Sequence, residues 1–285
     1  LLFQYFKDAK RARNNDNSFS FDRASQVVSN NNFIFKIAED KRDIALVVKD
    51  QYLFSIFLVF LDGFFDNLLI IPYQSSAQEI KYFLDELKIT DIITDQALDL
   101  ENKYNLYAVQ THNKNGASGN DFKLIGKRKT KWIIPTSGTT GTPKLISHDV
   151  ELLIKPMKKD FTKGQDYIWG NLYGFSRFAG IQVLLQSIAG GSQLILENST
   201  DLKTKIKYLA QCKCNALSGT PTMWRKILML PEAQNLHLKQ ITLGGEIVDQ
   251  LILDALKARF PSANITQIYA TTETGVCFSV SDGKA

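Results

Sequence analysis

The densest concentration of groups able to do chemistry is the run Pro135-Thr-Ser-Gly-Thr-Thr-Gly-Thr-Pro-Lys144. Its glycines permit tight backbone conformations, so successive N–H groups and nearby hydroxyls can converge on an anion, while Lys144 adds a fixed positive charge. That is the composition of a phosphate-binding loop. It is not the Walker pattern, which needs Gly-Lys followed by Ser or Thr, because Pro143 precedes the lysine. Composition alone equally allows a Ser/Thr/Gly surface loop. Two further clusters follow, Leu243-Gly-Gly-Glu246 and Gln267-Ile-Tyr-Ala-Thr-Thr-Glu273. Taken singly, the glycine pair reads as a turn, Tyr269 as a core aromatic and Glu273 as a surface acid.

Such groups act only if regular elements hold them. Ile44–Val48 reads as a buried strand, Gln51–Phe64 as a helix and Leu68–Ile71 as a second strand ended by Pro72. Ser76 and Glu79 have capping-box spacing ahead of Ile80, Phe83, Leu84 and Leu87 on one helix face, and Asp91–Thr94 is a further strand. A polar stretch from Thr111 to Asp121 reads as an exposed loop. Strands resume at Trp132–Ile134, which leads into the Ser/Thr/Gly run, and then at Gln193–Leu196 and Asn215–Leu217. A helix follows with Thr220 as cap and Pro221 at its first position. Ile241–Leu243 leads into a helix whose apolar face is read as Val248, Leu251, Ile252, Ala255 and Leu256, and Asn264–Tyr269 is the last strand. Repeated βα units predict an α/β fold with mainly parallel sheets covered by helices on both faces.

Composition narrows the classes further. A chain of 285 residues that is 44% apolar and 22% charged is neither disordered nor collagen-like, and three cysteines do not make a disulfide scaffold. At roughly 100–200 residues per domain it accommodates one large or two medium domains. The net charge of +5 comes from 34 basic and 29 acidic residues. Apart from Lys127-Arg128-Lys129 with Lys131 the basic residues are scattered, which argues against a nucleic-acid surface. Cys212, Cys214 and Cys277, with His112, His148 and His237, lack zinc-site spacing and read as buried thiols. The longest apolar run, Leu53–Leu61, is about half a membrane span. No signal peptide is evident, so a cytoplasmic location is the expectation.

The order of the motifs carries a resemblance. Thr136-Ser-Gly-Thr-Thr-Gly-Thr-Pro-Lys144 resembles the signature loop of the adenylate-forming superfamily, which comprises acyl- and aryl-CoA synthetases, nonribosomal peptide synthetase adenylation domains and luciferases. Leu243-Gly-Gly-Glu246 and Gln267-Ile-Tyr-Ala-Thr-Thr-Glu273 then follow in the family's order, the second resembling its Tyr-Gly-x-Thr-Glu signature, and Leu217-Ser-Gly-Thr-Pro-Thr-Met-Trp224 is similar to its strand-to-helix crossing beside the acid pocket. The resemblance is firm from Trp132 to Gly275 and weaker from Ile44 to Asp95. It implies that Thr136, Ser137, Gly138, Thr139, Thr140, Gly141 and Lys144 hold the phosphates of ATP. Gly244, Gly245 and Glu246 would lie along the adenine, Gln267 would face its amino group and Tyr269 would stack on the ring. Thr271 joins the nucleotide set, Thr272 would hydrogen-bond the α-phosphate and Glu273 would hold Mg²⁺. The acid pocket implied is Arg177, Phe178, Gln182, Leu243, Ile268, Ala270 and Val276.

The implied reaction is attack of a carboxylate on the α-phosphorus of ATP with loss of pyrophosphate, followed by transfer to a thiol of coenzyme A or of a phosphopantetheine carrier protein. Negative charge grows on phosphate oxygens, which explains the loop donors, the metal and the donor at Thr272. Ala270 replaces the family's usual glycine and adds a methyl to the pocket. Arg177 stands where many acyl-CoA synthetases place a histidine. Phe178 stands where amino-acid-activating domains place an aspartate, and an apolar ring cannot satisfy a buried ammonium, which favours a non-amino acid. Amino-acid adenylation for a carrier protein and a degenerate nucleotide-binding module are the alternatives. The implied architecture is a large N-terminal domain of two subdomains, residues 44–163 with the phosphate loop and residues 1–43 with 175–274 bearing the adenine and metal motifs. Residues 275–285 would open a downstream portion. The family's ribose-binding aspartate, hinge and catalytic lysine lie beyond Glu273, so the expectation is a fragment, inactive by itself, of an AMP-forming acid–thiol ligase.

Overall fold

The computed structural model describes residues 27, 28, 31, 33–109, 126–136, 143–157, 159–281 and 283–285. The chain forms two compact units, the first ending at Lys155 and the second starting its main span at Pro156.

In the first unit, a helix α1 (Phe33–Asp40) precedes β1 (Asp43–Val47), α2 (Gln51–Leu61), β2 (Asn67–Ile70), α3 (Ala77–Leu87), β3 (Asp91–Thr94), β4 (Asn105–Ala108), β5 (Lys131–Pro135), β6 (Leu145–Asp149) and α4 (Val150–Ile154). The strands are ordered β4-β3-β1-β2-β5-β6. All neighbours are parallel except the antiparallel pair β5–β6. Continuous apolar runs form β1 and β2 because residues on both faces are covered. The capping box predicted at α3 is present: Glu79 N–H donates to Ser76 Oγ at 3.2 Å and Ser76 N–H to Glu79 Oε2 at 2.8 Å. That fixes the helix phase, so Ile80, Phe83 and Leu84 pack on Ala45, Val47, Leu69, Ile92 and Ile133.

A close backbone crossing precedes strand β5. Gly63 has φ +94°, and a Cβ on Gly126 would sit 2.2 Å from the Gly63 carbonyl carbon. Thr130 Oγ1 accepts the Gly63 N–H at 2.7 Å, and Arg128 N–H donates to the Gly63 carbonyl at 2.8 Å.

The second unit contains α5 (Phe161–Gly164), β7 (Ile168–Asn171), α6 (Phe178–Gly190), β8 (Gln193–Leu194), α7 (Leu202–Gln211), β9 (Ala216–Gly219), α8 (Pro221–Leu228), a 3-10 turn (Pro231–Asn235), β10 (Gln240–Gly244), α9 (Gln250–Arg259), β11 (Asn264–Thr271) and β12 (Gly275–Val280). The order is β12-β11-β10-β9-β7-β8, parallel except for β11–β12. Trp224, Leu217, Ile241, Leu243, Leu256 and Phe260 centre its core, and the Trp224 indole N–H donates to the Thr242 carbonyl at 3.1 Å.

Several expectations change. The α/β fold with mainly parallel sheets is present, but β4, β6, β7, β12, α1, α4, α5, α6 and α7 add to the elements read from sequence. Strand β4 is an exposed edge, and β12 has an exposed centre, so neither shows a buried apolar run. Residues 33–43 lie in the first unit, not the second, because Lys41 ion-pairs with Asp91 at 3.3 Å and Arg42 pairs with Asp66 at 2.6 Å. The first unit ends at Lys155, not 163, since a Cβ on Gly164 would lie 1.5 Å from the Gly190 carbonyl oxygen and α5 packs on α6. Residues 275–280 are a strand of the second sheet. The apolar face of α9 is Ile252, Leu253 and Leu256, while Leu251 and Ala255 are exposed, because Asp249 caps the helix and sets its phase. The Thr111–Asp121 loop lies outside the described residues. Among the described residues no helix is long and apolar enough to cross a membrane.

The Gly63–Gly126 crossing yields a stability prediction. Gly126→Ala forces the backbone apart and should lower unfolding free energy by about 1–3 kcal/mol in urea titrations, whereas Lys127→Ala should leave it within about 0.5 kcal/mol.

Candidate active site

In an open parallel sheet ligands bind beyond the carboxyl ends of the strands, at the point where the strand order reverses. In the second unit that point lies between β7 and β9, since β8 lies on one side of β7 and β9 on the other. Register aligns Thr242 with both Ser218 and Thr266, and Leu243 with Gly219 and Gln267, so the segments after β9, β10 and β11 emerge side by side.

The segment after β7 is held by Asn171, which is 3% exposed. Its Oδ1 accepts the Tyr173 N–H at 3.0 Å, and its Nδ2 donates to the Gly180 carbonyl in the first turn of α6 at 3.4 Å. The Tyr173 hydroxyl donates to the Gly244 carbonyl at 3.3 Å. Burial, aided by the negative charge of Glu246, pushes this phenol well above its ordinary range, so it stays a neutral donor.

After β10 the chain turns at Gly245, whose φ of +82° favours glycine. Glu246 then reaches back, and its Oε2 accepts the Thr222 N–H at 2.9 Å. Thr222 lies in the first turn of α8, where backbone N–H groups lack helical partners, and Thr220 Oγ1 caps the Met223 N–H at 3.2 Å. Burial alone would raise the Glu246 carboxyl, but hydrogen bonds from Thr222 and Thr220 and the Arg225 charge together hold it below its ordinary value. Arg225 also pairs with Asp249, the cap of α9.

Strand β11 alternates. Gln267, Tyr269 and Thr271 share one face and Ile268 and Ala270 the other, with an irregularity in the β11–β12 ladder between Tyr269 and Ala270, and Thr272 lies in the turn that follows. Tyr269 is 56% exposed and stacks on its cross-strand partner Phe278, with centroids 5.1 Å apart and planes at 13°. Gln267 donates to the Lys284 carbonyl. The turn into β12 is tied by Thr271 and Thr274 hydroxyls 2.8 Å apart and by the Thr274 N–H to Thr271 Oγ1 at 3.1 Å. Thr272 is half-buried and Glu273 exposed. Among the described residues Glu273 has no ion-pair partner, and an exposed, unpaired carboxylate is the donor type that a hard, oxygen-preferring cation takes. Those described residues hold no group of three His, Cys, Asp or Glu able to bind a metal.

Of the predicted pocket residues, Arg177 is exposed at the start of α6, Phe178 is buried, and Gln182, Ile268, Ala270 and Val276 are half-buried. Leu243 is fully enclosed in the core, packed inside the sheet, so its side chain does not line an open pocket as expected. Cys214 is buried, its thiol pushed up to about 12 by burial, but Cys277 is exposed on β12, contrary to the reading of all three thiols as buried. Sequence reasoning missed Asn171, Tyr173 and Phe278. Thr222 stood inside the Leu217–Trp224 motif without a role, and Phe278 belongs to the unrecognised β12.

The first unit presents the loop. The ladder Ile134↔Ile146 and Pro135↔Leu145 continues into a Thr136 N–H to Lys144 carbonyl bond of 2.8 Å. The run is therefore the connection of a β-hairpin, with Thr136 half-buried and Lys144 exposed at its base. Ser137, Gly138, Thr139, Thr140 and Gly141 lie outside the described residues.

The AMP-binding enzyme family matches residues 68–285. A plipastatin synthase component of Bacillus subtilis (strain 168) is 23% identical over 221 residues, which cover 73% of this chain and 9% of that protein. The D-alanine–D-alanyl carrier protein ligase of Lactococcus lactis subsp. lactis (strain IL1403) is 33% identical over 173 residues, covering 56% of this chain and 34% of the ligase. This chain thus spans about a third or less of these relatives' lengths. The structure of O-succinylbenzoate coenzyme A synthetase from Bacillus subtilis, in complex with AMP, superposes with a TM-score of 0.74 at 16% identity, over 98% of this chain and 60% of that one. That likeness establishes a shared fold.

The Glu246 carboxylate gives a pH prediction. Its folded value is depressed from 4.5, so the stabilisation is present above that pH and lost as pH falls through the folded value. Glu246→Gln should be less stable than the wild type at pH 6, with the gap closing toward pH 3. Urea titrations at both pH values check this, and an unchanged gap would contradict it.

Proposed function

Because this chain belongs to the AMP-binding enzyme family, we propose that it supplies the nucleotide- and acid-binding surfaces of an adenylate-forming ligase. The observation that carries the reading is the exposed Tyr269 ring at the end of β11, one strand from the Gly244–Gly245 turn, with Thr272 and Glu273 following on the hairpin. A purine stacks on such a ring while its edge meets backbone groups.

In the proposed reaction a carboxylate oxygen of the acid forms a bond to the α-phosphorus, the bond from that phosphorus to the bridging oxygen breaks, and pyrophosphate leaves with the electron pair. An acyl-adenylate remains. In this reading Lys144 would add positive charge against phosphate, and Thr272 would donate to an α-phosphate oxygen. Held by Glu273, a magnesium ion would supply further positive charge at those oxygens. A thiolate then attacks the acyl carbon and AMP departs, giving a thioester. No side-chain nucleophile is required.

Phe178 favours a non-amino acid, because its buried ring at the start of α6 offers an ammonium no hydrogen bond. The relatives favour a second reading: one is a D-alanyl carrier protein ligase and another a plipastatin synthase component, which supports an amino acid delivered to a carrier protein. Acid-dependent pyrophosphate exchange by the complete gene product separates the two. Exchange driven by non-amino carboxylic acids supports the first, exchange driven by amino acids alone supports the second, and none across a broad panel of both overturns adenylation.

In the chain itself, Lys144→Ala and Glu273→Gln should each weaken Mg·ATP binding about ten- to a hundredfold, the worth of a charged hydrogen bond, with the thermal midpoint unchanged. Calorimetric titration checks this, and unaltered affinity in both variants would remove the assignment.

A further inference from the structure

We infer that Tyr173 is a positioning residue for the nucleotide, holding the Gly244–Gly245 peptide at the end of β10 in the orientation that meets the adenine; this rests on the nucleotide reading above. Neither the motif order nor the family match gives Tyr173 a role. The geometry does. Strand β9 lies between β7 and β10, so Tyr173 spans a neighbouring strand to place its hydroxyl 3.3 Å from the Gly244 carbonyl. Space at this turn is tight, since a Cβ on Gly244 would fall 3.2 Å from the Ile268 carbonyl oxygen and 3.6 Å from the Tyr173 hydroxyl.

The other end of the tyrosine is equally fixed. Asn171 holds the Tyr173 N–H and the Gly180 carbonyl at once, which ties the tyrosine backbone to the first turn of α6. On the far side of the turn, Glu246 is anchored to the Thr222 N–H. The Gly244–Gly245 peptide is therefore clamped from both sides, by a phenol from the segment after β7 and by a carboxylate bound to α8. Gly245 itself, with φ +82°, offers no side chain to brace the turn. Without the phenol, the peptide would be free to rotate about that glycine, and an edge-on contact to a base depends on its orientation.

Tyr173→Phe keeps the ring and removes only the donor. In the 285-residue chain the variant should bind AMP about three- to tenfold more weakly, the worth of one neutral hydrogen bond, while affinity for inorganic tripolyphosphate and the thermal midpoint stay at wild-type values. The amide resonance of Gly245, whose peptide contains the Gly244 carbonyl, should shift in the unliganded variant with the signals of β9 and β10 in place. Equal loss of AMP and tripolyphosphate affinity, wild-type AMP affinity, or an unmoved Gly245 signal would each overturn the inference. Should the wild-type chain bind no AMP, the nucleotide reading fails with it, and that outcome is distinct because it needs no variant.

Discussion

Each sheet is parallel apart from one antiparallel pair, and in each the densest motif sits at the turn of that pair. Thr136–Lys144 connects β5 to β6, and Thr272–Thr274 connect β11 to β12. A parallel strand must be followed by a long crossover, whereas an antiparallel partner can follow directly. The hairpin connection therefore starts at the same carboxyl edge as the βα loops, and in β11–β12 it is short enough for successive backbone and hydroxyl groups to crowd one point. In β11–β12 that crowding is visible as the Thr271–Thr274 hydroxyl pair.

The two units use their reversal points differently. In the first, the crevice lies between β1 and β3, and Asp95 fills it: its two carboxylate oxygens accept the N–H groups of Lys49 and Asp50, each at 2.8 Å. A side chain of the protein thus takes the place at the start of α2 where an anion would bind. In the second, the corresponding place between β7 and β9 is bordered by Tyr173 and Thr220, whose bonds run to Gly244 and to α8. One unit closes its crevice with its own carboxylate. The other braces its crevice with groups that leave backbone available to a ligand.

Elements buried on both faces were legible in the sequence, because an apolar run such as Ile44–Val48 or a capped amphipathic helix such as Ala77–Leu87 has few alternatives. The edge strands β4 and β12 were not. Asn105–Ala108 and Gly275–Val280 carry mixed, largely exposed residues, and only pairing with a neighbour makes them strands. The site divides in the same way. Local strings announced Lys144, Gly244–Glu246 and Tyr269–Glu273, but Tyr173 matters through Gly244, 71 residues away, and Asn171 and Phe278 through contacts with Gly180 and Tyr269 that no local string marks. Leu243 shows the converse error, a residue adjacent to a motif whose side chain belongs wholly to the core.

The central claim is that the row formed by Gly244–Glu246 and Gln267–Glu273, at the carboxyl edge of the second sheet, receives the nucleotide base. Amide hydrogen exchange of the chain with and without AMP tests it most directly. Slowed exchange at Gly245, Glu246 and residues 269–273, with α7 and the 3-10 turn Pro231–Asn235 unchanged, is the result this account predicts. Protection confined to those outer elements, with the row unaffected, would contradict it.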